Sequence, residues 1–211
     1  MRNRLTIVVI ALFAPLAFAC QSSPEESTEP SEATESRSNL EVATFAGGCF
    51  WCMQPPFDDI DGVESTVVGY TGGDEEEPTY NQVTSGTTGH VEAVEVRYDE
   101  DEVTYGELLD VFWRSIDPTD DGGQFADRGD HYRTFVFYHD DDQRQLAEDS
   151  RAKLDETGPF DDPVVTEIEA VGTFWIAEDY HQDYSIENPE HYEQYYVGSG
   201  RAGFLEETWG D

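Results

Sequence analysis

Basic residues are scarce in this chain of 211 residues, which contains 11 of them, ten arginines and Lys153, against 47 aspartates and glutamates. The formal net charge at pH 7 is −36. A field of this sign repels phosphate, so the composition excludes a nucleic-acid-binding protein and disfavours binding to anionic lipid surfaces. The acidic residues also occur throughout the predicted folded segments. This favours a halophilic protein, soluble where concentrated salt screens charge repulsion; an acidic mesophilic protein is the alternative.

Apolar runs long enough to span a membrane are also missing. The longest run, residues 5–18, is shorter than the about 20 residues that a spanning helix needs. It follows Arg2 and Arg4, and the small-x-small run of residues 17–19 ends it. Residues 1–19 are therefore predicted to be a secretory signal peptide.

Cysteine is rare as well, and the first of the three cysteines, Cys20, directly follows the predicted cleavage site. Residues 16–20 resemble the lipobox of bacterial lipoproteins, although the leucine stands one place too early. We therefore predict that Cys20 is lipidated and that the protein is exported, either periplasmic or anchored to a membrane through this lipid. An ordinary cleaved signal peptide with an incidental cysteine is the alternative.

The segment after the predicted signal peptide has almost no apolar residues. Residues 20–39 are rich in Ser, Glu, Thr and Pro, so they are predicted to form a solvated tether that buries no apolar surface. No second change in composition follows, and residues 40–211 are predicted to form one folded domain.

Hydrophobic patterning within this domain alternates between the strand and helix periods. It predicts strands near residues 41–46, 63–70, 91–98, 132–139 and 164–171, and helices near residues 49–57, 105–116 and 140–157. Strands separated by helices within one domain predict an α/β or α+β sheet that is covered by helices.

The two remaining cysteines, Cys49 and Cys52, follow a pair of glycines at the end of the first predicted strand. Cys49 is expected in the first turn of the next helix, where unpaired N–H groups and the helix dipole favour a thiolate. Cys52 would lie one turn later on the same face, close enough to Cys49 for a disulfide after local adjustment. Three interpretations compete: a structural disulfide, half of a zinc site, and a redox-active pair.

The rest of the sequence favours the third interpretation. Zinc would need two more soft ligands, and none of the five histidines stand at the short spacings of zinc folds. These histidines are His90, His131, His139, His181 and His191. A structural disulfide that closes so small a loop constrains the unfolded chain little and stabilises the fold only modestly. A redox-active pair is therefore predicted, and no metal is expected.

Several further motifs are not explained by a thioredoxin-like C-x-x-C protein, the simplest redox interpretation. They include Gly69-Tyr70-Thr71-Gly72-Gly73 and Gly89-His90-Val91-Glu92-Ala93. Together with Gly48-Cys49-Phe50-Trp51-Cys52, in this order and spacing, they make residues 42–209 resemble the peptide-methionine (S)-S-oxide reductases, the A-type methionine sulfoxide reductases.

The resemblance implies an α+β domain of ferredoxin-like architecture, a two-layer sandwich of a mixed sheet with helices packed on it. It further implies that residues 40–211 are a catalytic domain that reduces the S epimer of methionine sulfoxide, free or in proteins. No cofactor is expected, and we expect a monomer. In an exported protein this activity would repair other oxidised exported proteins.

The residues also support this chemistry on their own terms. Sulfoxide reduction needs a nucleophile, for which a Cys49 thiolate is suited, and a proton on the departing oxygen. Glu92 lies among apolar strand residues, where desolvation should raise its pKa and keep it protonated as a general acid. The alternative places Glu92 on the wet face of an alternating strand, and the resemblance favours the acid.

Other roles rest on the resemblance. It implies that Tyr80 and Tyr132 donate hydrogen bonds to the sulfoxide oxygen and that Asp127 acts nearby through water. It also implies that Phe50 and Trp51 form an aromatic wall that receives the ε-methyl group of the substrate, for which a flat apolar surface is suitable.

Attack by Cys49 would leave a sulfenic acid on its sulfur, and Cys52 is the nearest thiol to resolve it as a disulfide. Many relatives carry resolving cysteines near the C-terminus, but residues 198–211 contain none. A thioredoxin-like donor would reopen the disulfide, and for an exported protein this implies a periplasmic partner or a membrane electron relay. The alternative function is a general dithiol–disulfide oxidoreductase, or an acidic surface lipoprotein with a stabilising disulfide.

Overall fold

The structure is a computed structural model that describes residues 40–210. The predicted signal peptide, residues 1–19, lies outside the described residues, and so does the predicted tether with Cys20, residues 20–39. Both therefore stay predictions.

The described residues form eight strands and seven helices. The strands are β1 (Leu40–Gly47), β2 (Val63–Thr71), β3 (Val91–Asp99), β4 (Gly123–Gln124), β5 (Asp127–Arg128), β6 (Thr134–Tyr138), β7 (Glu167–Ala170) and β8 (Trp175–Ile176). The helices are α1 (Phe50–Asp58), α2 (Tyr80–Thr84), α3 (Tyr105–Arg114), α4 (Asp141–Thr157), α5 (Tyr184–Glu187), α6 (Pro189–Gly198) and α7 (Arg201–Trp209).

Six strands form one mixed sheet in the order β7-β6-β1-β3-β2-β8, while β4 and β5 pair with each other. Strands β6 and β7 are parallel, and the other neighbours in the large sheet are antiparallel. The α+β class predicted from the sequence is therefore confirmed. In the part of the chain that the structure describes, no helix is long and apolar enough to cross a bilayer.

Both faces of the central strands are apolar. One face carries Phe45, Val94 and Val136 and packs against apolar side chains of α1, α3 and α4. The opposite face carries the intervening positions, such as Ala93 and Phe135, and forms a second, smaller cluster. Because both faces are covered, a polar residue on a central strand can be buried on either of them.

The structure differs from the predicted elements at several boundaries. The predicted helix 49–57 is observed as α1, Phe50–Asp58, which contains Pro55 and Pro56. The predicted strand 132–139 begins only at Thr134, because Asp130–Tyr132 forms a 3-10 turn. The predicted strand 164–171 is reduced to β7, since the backbone N–H groups before it bond to a side chain of α4 and to a loop carbonyl. Strands β4, β5 and β8 and helices α2, α5, α6 and α7 were not predicted.

Candidate active site

Two glycines shape the connection between β1 and α1. A Cβ atom on Gly47 would lie 2.5 Å from the sulfur of Met53, and one on Gly48 would lie 2.6 Å from Cβ of Gln124. Gly48 also has φ +84°, a backbone conformation that L side chains rarely adopt. This tight turn places Cys49 as the residue that caps α1, with Phe50 as the first residue of the helix.

The two cysteines lie side by side beneath this turn. Cys49 and Cys52 are free thiols, both buried, and their side chains are hydrogen-bonded to each other. The helical turn that joins them is closed by the N–H of Cys52, which donates to the carbonyl oxygen of Cys49 at 3.0 Å. Among residues 40–210, no group of three or more His, Cys, Asp and Glu side chains is placed to hold a metal ion.

The expectation that Cys49 is a ready thiolate in the free protein is corrected by its burial. Desolvation raises the pKa of the Cys49 thiol well above its ordinary value, and the hydrogen bond to Cys52 adds to this. The same hydrogen bond, with Cys49 as donor, lowers the pKa of Cys52. When the pair loses one proton, the negative charge therefore lies on Cys52, and Cys49 keeps the remaining proton and donates it to Cys52.

Glu92 lies at the start of β3, on the same sheet face as Val94 and Val96, and not on a wet face. Its side chain is 1% exposed, and Oε2 accepts a hydrogen bond from the backbone N–H of Phe50 at 3.0 Å. Glu92 thus supplies the acceptor at the N-terminus of α1 that the side chain of Cys49 does not supply. Burial raises the pKa of Glu92 well above its ordinary value, and the nearby Cys49 adds to this.

Two phenols share the field of this carboxyl group. Tyr80 begins α2, and Tyr132 ends the 3-10 turn before β6. Burial, with Glu92 as the second cause, raises the pKa of Tyr80 to about 12 and raises that of Tyr132 further. Both hydroxyl groups therefore keep their protons at neutral pH and can donate hydrogen bonds.

Asp127, on β5, is held by a residue that the sequence analysis did not single out. The hydroxyl of Tyr195, on α6, donates to Oδ1 of Asp127 at 2.5 Å and also lies within hydrogen-bonding range of the Cys49 sulfur. Oδ2 of Asp127 is buried with no partner among the described residues. Tyr195 therefore connects the carboxylate of Asp127 to the nucleophile.

The predicted aromatic residues are held by the segment that follows β8. Phe50 is 1% exposed, and its ring lies 4.9 Å from that of His181. Trp51 donates its indole N–H to Nδ1 of His181 at 3.1 Å and stacks on Tyr184 with 3.8 Å between ring centroids. Burial lowers the pKa of His181, so its imidazole is neutral and remains an acceptor for the indole.

The predicted site residues thus come from the start of α1, from α2, β3 and β5, and from the 3-10 turn before β6. The sequence analysis did not assign the contacts that hold these residues, which are made by His181, Tyr184 and Tyr195. A run of aromatic residues in α6 was the available signal for the last of them, but tyrosines are common packing residues and the run alone assigns no role.

Comparisons with known proteins agree with this geometry. A family model described as peptide methionine sulfoxide reductase matches residues 41–211. The peptide methionine sulfoxide reductase MsrA of Bacillus licheniformis is 57% identical over 170 residues, which cover 81% of this chain and 94% of that protein.

Two solved structures are similar to this one. The reduced form of Mxr1 from Saccharomyces cerevisiae has a TM-score of 0.68 and 30% identity, covering 72% of this chain and 87% of that chain. Methionine sulfoxide reductase A of Corynebacterium diphtheriae has a TM-score of 0.65 and 32% identity, covering 73% and 77%. The chain therefore belongs to the A-type peptide methionine sulfoxide reductases, the peptide-methionine (S)-S-oxide reductases.

Proposed function

We propose that this chain reduces methionine-S-sulfoxide by attack of the Cys49 sulfur, with Glu92 as the acid that protonates the departing oxygen. The observation that supports this most directly is the burial of Glu92 beside Cys49, fixed by its hydrogen bond to the N–H of Phe50. A carboxyl group kept protonated near neutral pH is what release of a sulfoxide oxygen needs, because oxide is a very poor leaving group.

The first step balances as a two-electron transfer. The Cys49 thiolate gives an electron pair, the sulfur–oxygen bond of the substrate breaks, and the oxygen is transferred to Cys49 with a proton from Glu92. Methionine leaves as the reduced product, and Cys49 is left as a sulfenic acid. The protonated phenols of Tyr80 and Tyr132 would donate hydrogen bonds to the oxygen as its negative charge develops.

The aromatic wall would orient the substrate. Phe50 and Trp51 are the first two residues of α1. Trp51 cannot rotate freely because its indole N–H is hydrogen-bonded to His181 and its ring is stacked on Tyr184. A rigid apolar surface of this kind suits the ε-methyl group, while the phenols and Glu92 bind the oxygen. Binding of methyl and oxygen on two different sides would distinguish the S epimer from the R epimer.

Resolution of the sulfenic acid would fall to Cys52. Its thiolate would attack the Cys49 sulfur, a sulfur–sulfur bond would form, and hydroxide would leave and take up a proton to become water. The contact between the two side chains supports this assignment. A thioredoxin-like dithiol donor would then reduce the disulfide, returning both cysteines to thiols.

Purified protein is expected to consume methionine-S-sulfoxide and to leave methionine-R-sulfoxide unchanged. The test incubates each diastereomer separately with the protein and dithiothreitol and measures methionine by chromatography. Equal consumption of both diastereomers would contradict a wall that orients the methyl group and the oxygen.

Cys52→Ser is expected to release one equivalent of methionine per protein and then stop when a thioredoxin is the reductant. The first step does not use Cys52, whereas a thioredoxin needs a disulfide to reduce. Methionine per protein in a single-turnover assay, followed by steady-state turnover with thioredoxin, measures the two steps separately.

Cys20→Ser provides the matched control for this experiment. It removes the remaining cysteine outside the pair and should leave turnover unchanged. Continued turnover of Cys52→Ser with thioredoxin, combined with loss of turnover in Cys20→Ser, would identify Cys20 as the resolving thiol in place of Cys52.

Two finer assignments belong to the same proposal. The order β6-β1-β3-β2 of four antiparallel strands, joined in the sequence β1-α1-β2-β3-α3-β6, supports a ferredoxin-like core. The predicted signal peptide and Cys20 support export with a lipid anchor and repair of other exported proteins. The mass of the mature N-terminus in the native host would reveal both cleavage and lipid.

A further inference from the structure

Arg201, the first residue of α7, is buried in the protein interior. It is 1% exposed and is among the largest of the fully buried side chains. In a chain of net charge −36, the guanidinium group of Arg201 nevertheless forms none of the ion pairs found within residues 40–210. A buried arginine without a carboxylate partner calls for a specific explanation.

The guanidinium group points to the underside of the turn that bears the cysteines. Nη2 donates to the carbonyl oxygen of Gly47 at 2.9 Å, and Nη1 donates to the carbonyl oxygen of Ser115 and lies 3.7 Å from the sulfur of Met53. The group also lies over the ring of Phe125, 4.6 Å from its centroid. Nε is buried with no partner among the described residues.

These neutral partners accept hydrogen bonds from the guanidinium group of Arg201, but none of them neutralises its positive charge. Carbonyl oxygens, a thioether and an aromatic face each stabilise a cation in part, yet a buried guanidinium still favours an anion nearby. Gly47 precedes Cys49 by two residues, and Met53 directly follows Cys52. Arg201 is therefore adjacent in space to a pair of groups that become negative during the reaction.

The groups that face Cys52 come from five elements. They are Cys49 before α1, Glu92 on β3, Asp127 on β5, Tyr192 and Tyr196 on α6, and Arg201 on α7. Arg201 is the cation of this set, and its positive charge lowers the pKa of Cys52. Negative charge on Asp127, or on Glu92 if it ionises, acts in the opposite direction and raises the pKa of Cys52.

We propose that Arg201 is the buried counter-ion of the Cys52 thiolate and thereby a positioning residue for disulfide formation. The inference rests on the proposed function of Cys52 as the resolving thiol. In that step Cys52 donates an electron pair to the Cys49 sulfur, the sulfur–oxygen bond of the sulfenic acid breaks, and hydroxide is protonated to water. Arg201 favours the anionic sulfur that begins this step. The C-terminal segment, which has no cysteine, thus contributes a cation to the pair.

The experiment titrates Cys52 alone. In a full chain carrying Cys20→Ser and Cys49→Ser, Cys52 is the one remaining thiol, and the ultraviolet absorbance of its thiolate reports ionisation against pH. Adding Arg201→Met, which keeps an unbranched apolar side chain but not the guanidinium group or its charge, should move this titration to higher pH. Adding Arg201→Lys should restore part of the difference, since an ammonium group keeps the charge but not the forked donors.

The matched control is Arg97→Met in the same background. Arg97 lies on β3 with its side chain 56% exposed, so this change removes one positive charge without touching the cysteine pair. The titration of Cys52 should not move. A titration that is unchanged in Arg201→Met, or that moves equally in Arg97→Met, overturns the proposal.

The rate of the resolving step gives a second readout in chains that retain both Cys49 and Cys52. After one turnover, disulfide formation at neutral pH should slow in Arg201→Met while release of the first methionine is unchanged. For each tenfold loss of thiolate the rate should fall about threefold, because the remaining thiolate becomes more nucleophilic as its pKa rises. An equal loss in both steps would indicate a structural role.

A further comparison needs no change at Arg201, in case Arg201→Met does not fold. One chain carries Cys20→Ser and Cys49→Ser, so that Cys52 is its one thiol, and the other carries Cys20→Ser and Cys52→Ser, so that Cys49 is its one thiol. Cys52 in the first chain should titrate at lower pH than Cys49 in the second. The reverse order overturns the proposal. These titrations use no sulfoxide, so they report on Arg201 and Cys52 even if another thiol resolves the sulfenic acid.

Discussion

Cys49→Ser is expected to abolish methionine formation completely, including the first turnover. Reduction of the sulfoxide requires an electron pair from the attacking atom, and a serine oxygen cannot be oxidised in place of sulfur. Enzymes accelerate their reactions by about 10⁶-fold or more, so a variant without the nucleophile should fall to the uncatalysed background. The measurement is methionine per protein after one turnover with methionine-S-sulfoxide, in the absence of any reductant.

The fold should survive this substitution. Cys49 caps α1 but makes no capping hydrogen bond through its side chain, whereas serine is among the residues most favoured at this position. The free energy of unfolding of Cys49→Ser should therefore equal or exceed that of the unchanged protein. Cys52→Ser is the matched control, because it removes the neighbouring thiol yet should release one methionine per protein. Methionine release by Cys49→Ser would show that a different group is the nucleophile.

Burial of the nucleophile has a consequence for the order of events. Because desolvation raises the pKa of Cys49, the free protein holds this sulfur mainly as a thiol at neutral pH. A buried thiol resists nonspecific oxidation and exchange, since the thiolate is the reactive form. The sulfur must therefore lose its proton within the site, and its anionic form is favoured when the one hydroxyl proton of Tyr195 turns from Asp127 to the sulfur.

The central part of the fold could be predicted from the sequence because its periodicity is strong. Helix α3 buries Leu108, Leu109 and Phe112 along one stripe, and strands β1 to β3 read as apolar runs bounded by glycines and polar turns. The C-terminal helices give no such signal. Helices α5 and α6 bury no residue fully, and α7 buries only Arg201, so none of them carries an apolar stripe that a pattern can detect.

The candidate active site also has one part that the sequence predicts and one part that it does not. The glycine pair and the spacing of Cys49 and Cys52 could be read from the sequence because they depend on local geometry. The environment of Glu92 could not, since Val91 and Ala93 face one apolar cluster while Val94 faces the other, and alternation then leaves the face of Glu92 undecided. The partnership of Tyr195 with Asp127 joins residues 68 positions apart and depends on the tertiary fold.

Glu92→Gln should lower turnover of methionine-S-sulfoxide by about 100-fold, the usual scale for loss of a general acid. Glutamine has nearly the same shape, and its side-chain oxygen can still accept the hydrogen bond from Phe50. What it lacks is a proton to give to the departing oxygen. The loss should appear in the first, methionine-releasing step and be absent from disulfide exchange, which needs no acid aimed at an oxyanion.

The pH dependence identifies the lost group. The pKa of Glu92 is raised, so in the unchanged protein the rate should fall as pH rises through that value and the acid is lost. In Glu92→Gln this fall in rate with rising pH should disappear. The rate should then only increase with pH, as Cys49 ionises. Glu95→Gln, on the same strand but more exposed, is the matched control and should keep both limbs and the full rate.

Stability separates this loss of rate from unfolding. A raised pKa in the folded state means that protonated Glu92 stabilises the fold fully below its unfolded pKa, and that this contribution is lost as pH rises through the folded value. Glutamine does not ionise, so Glu92→Gln should be at least as stable as the unchanged protein at neutral and alkaline pH. A stable, folded Glu92→Gln with undiminished turnover would remove the acid from the mechanism and return the site to a simple dithiol pair. If Glu92→Gln is stable, turns over methionine-S-sulfoxide slowly and no longer loses rate as pH rises, the buried carboxyl group is retained for catalysis at a cost in stability.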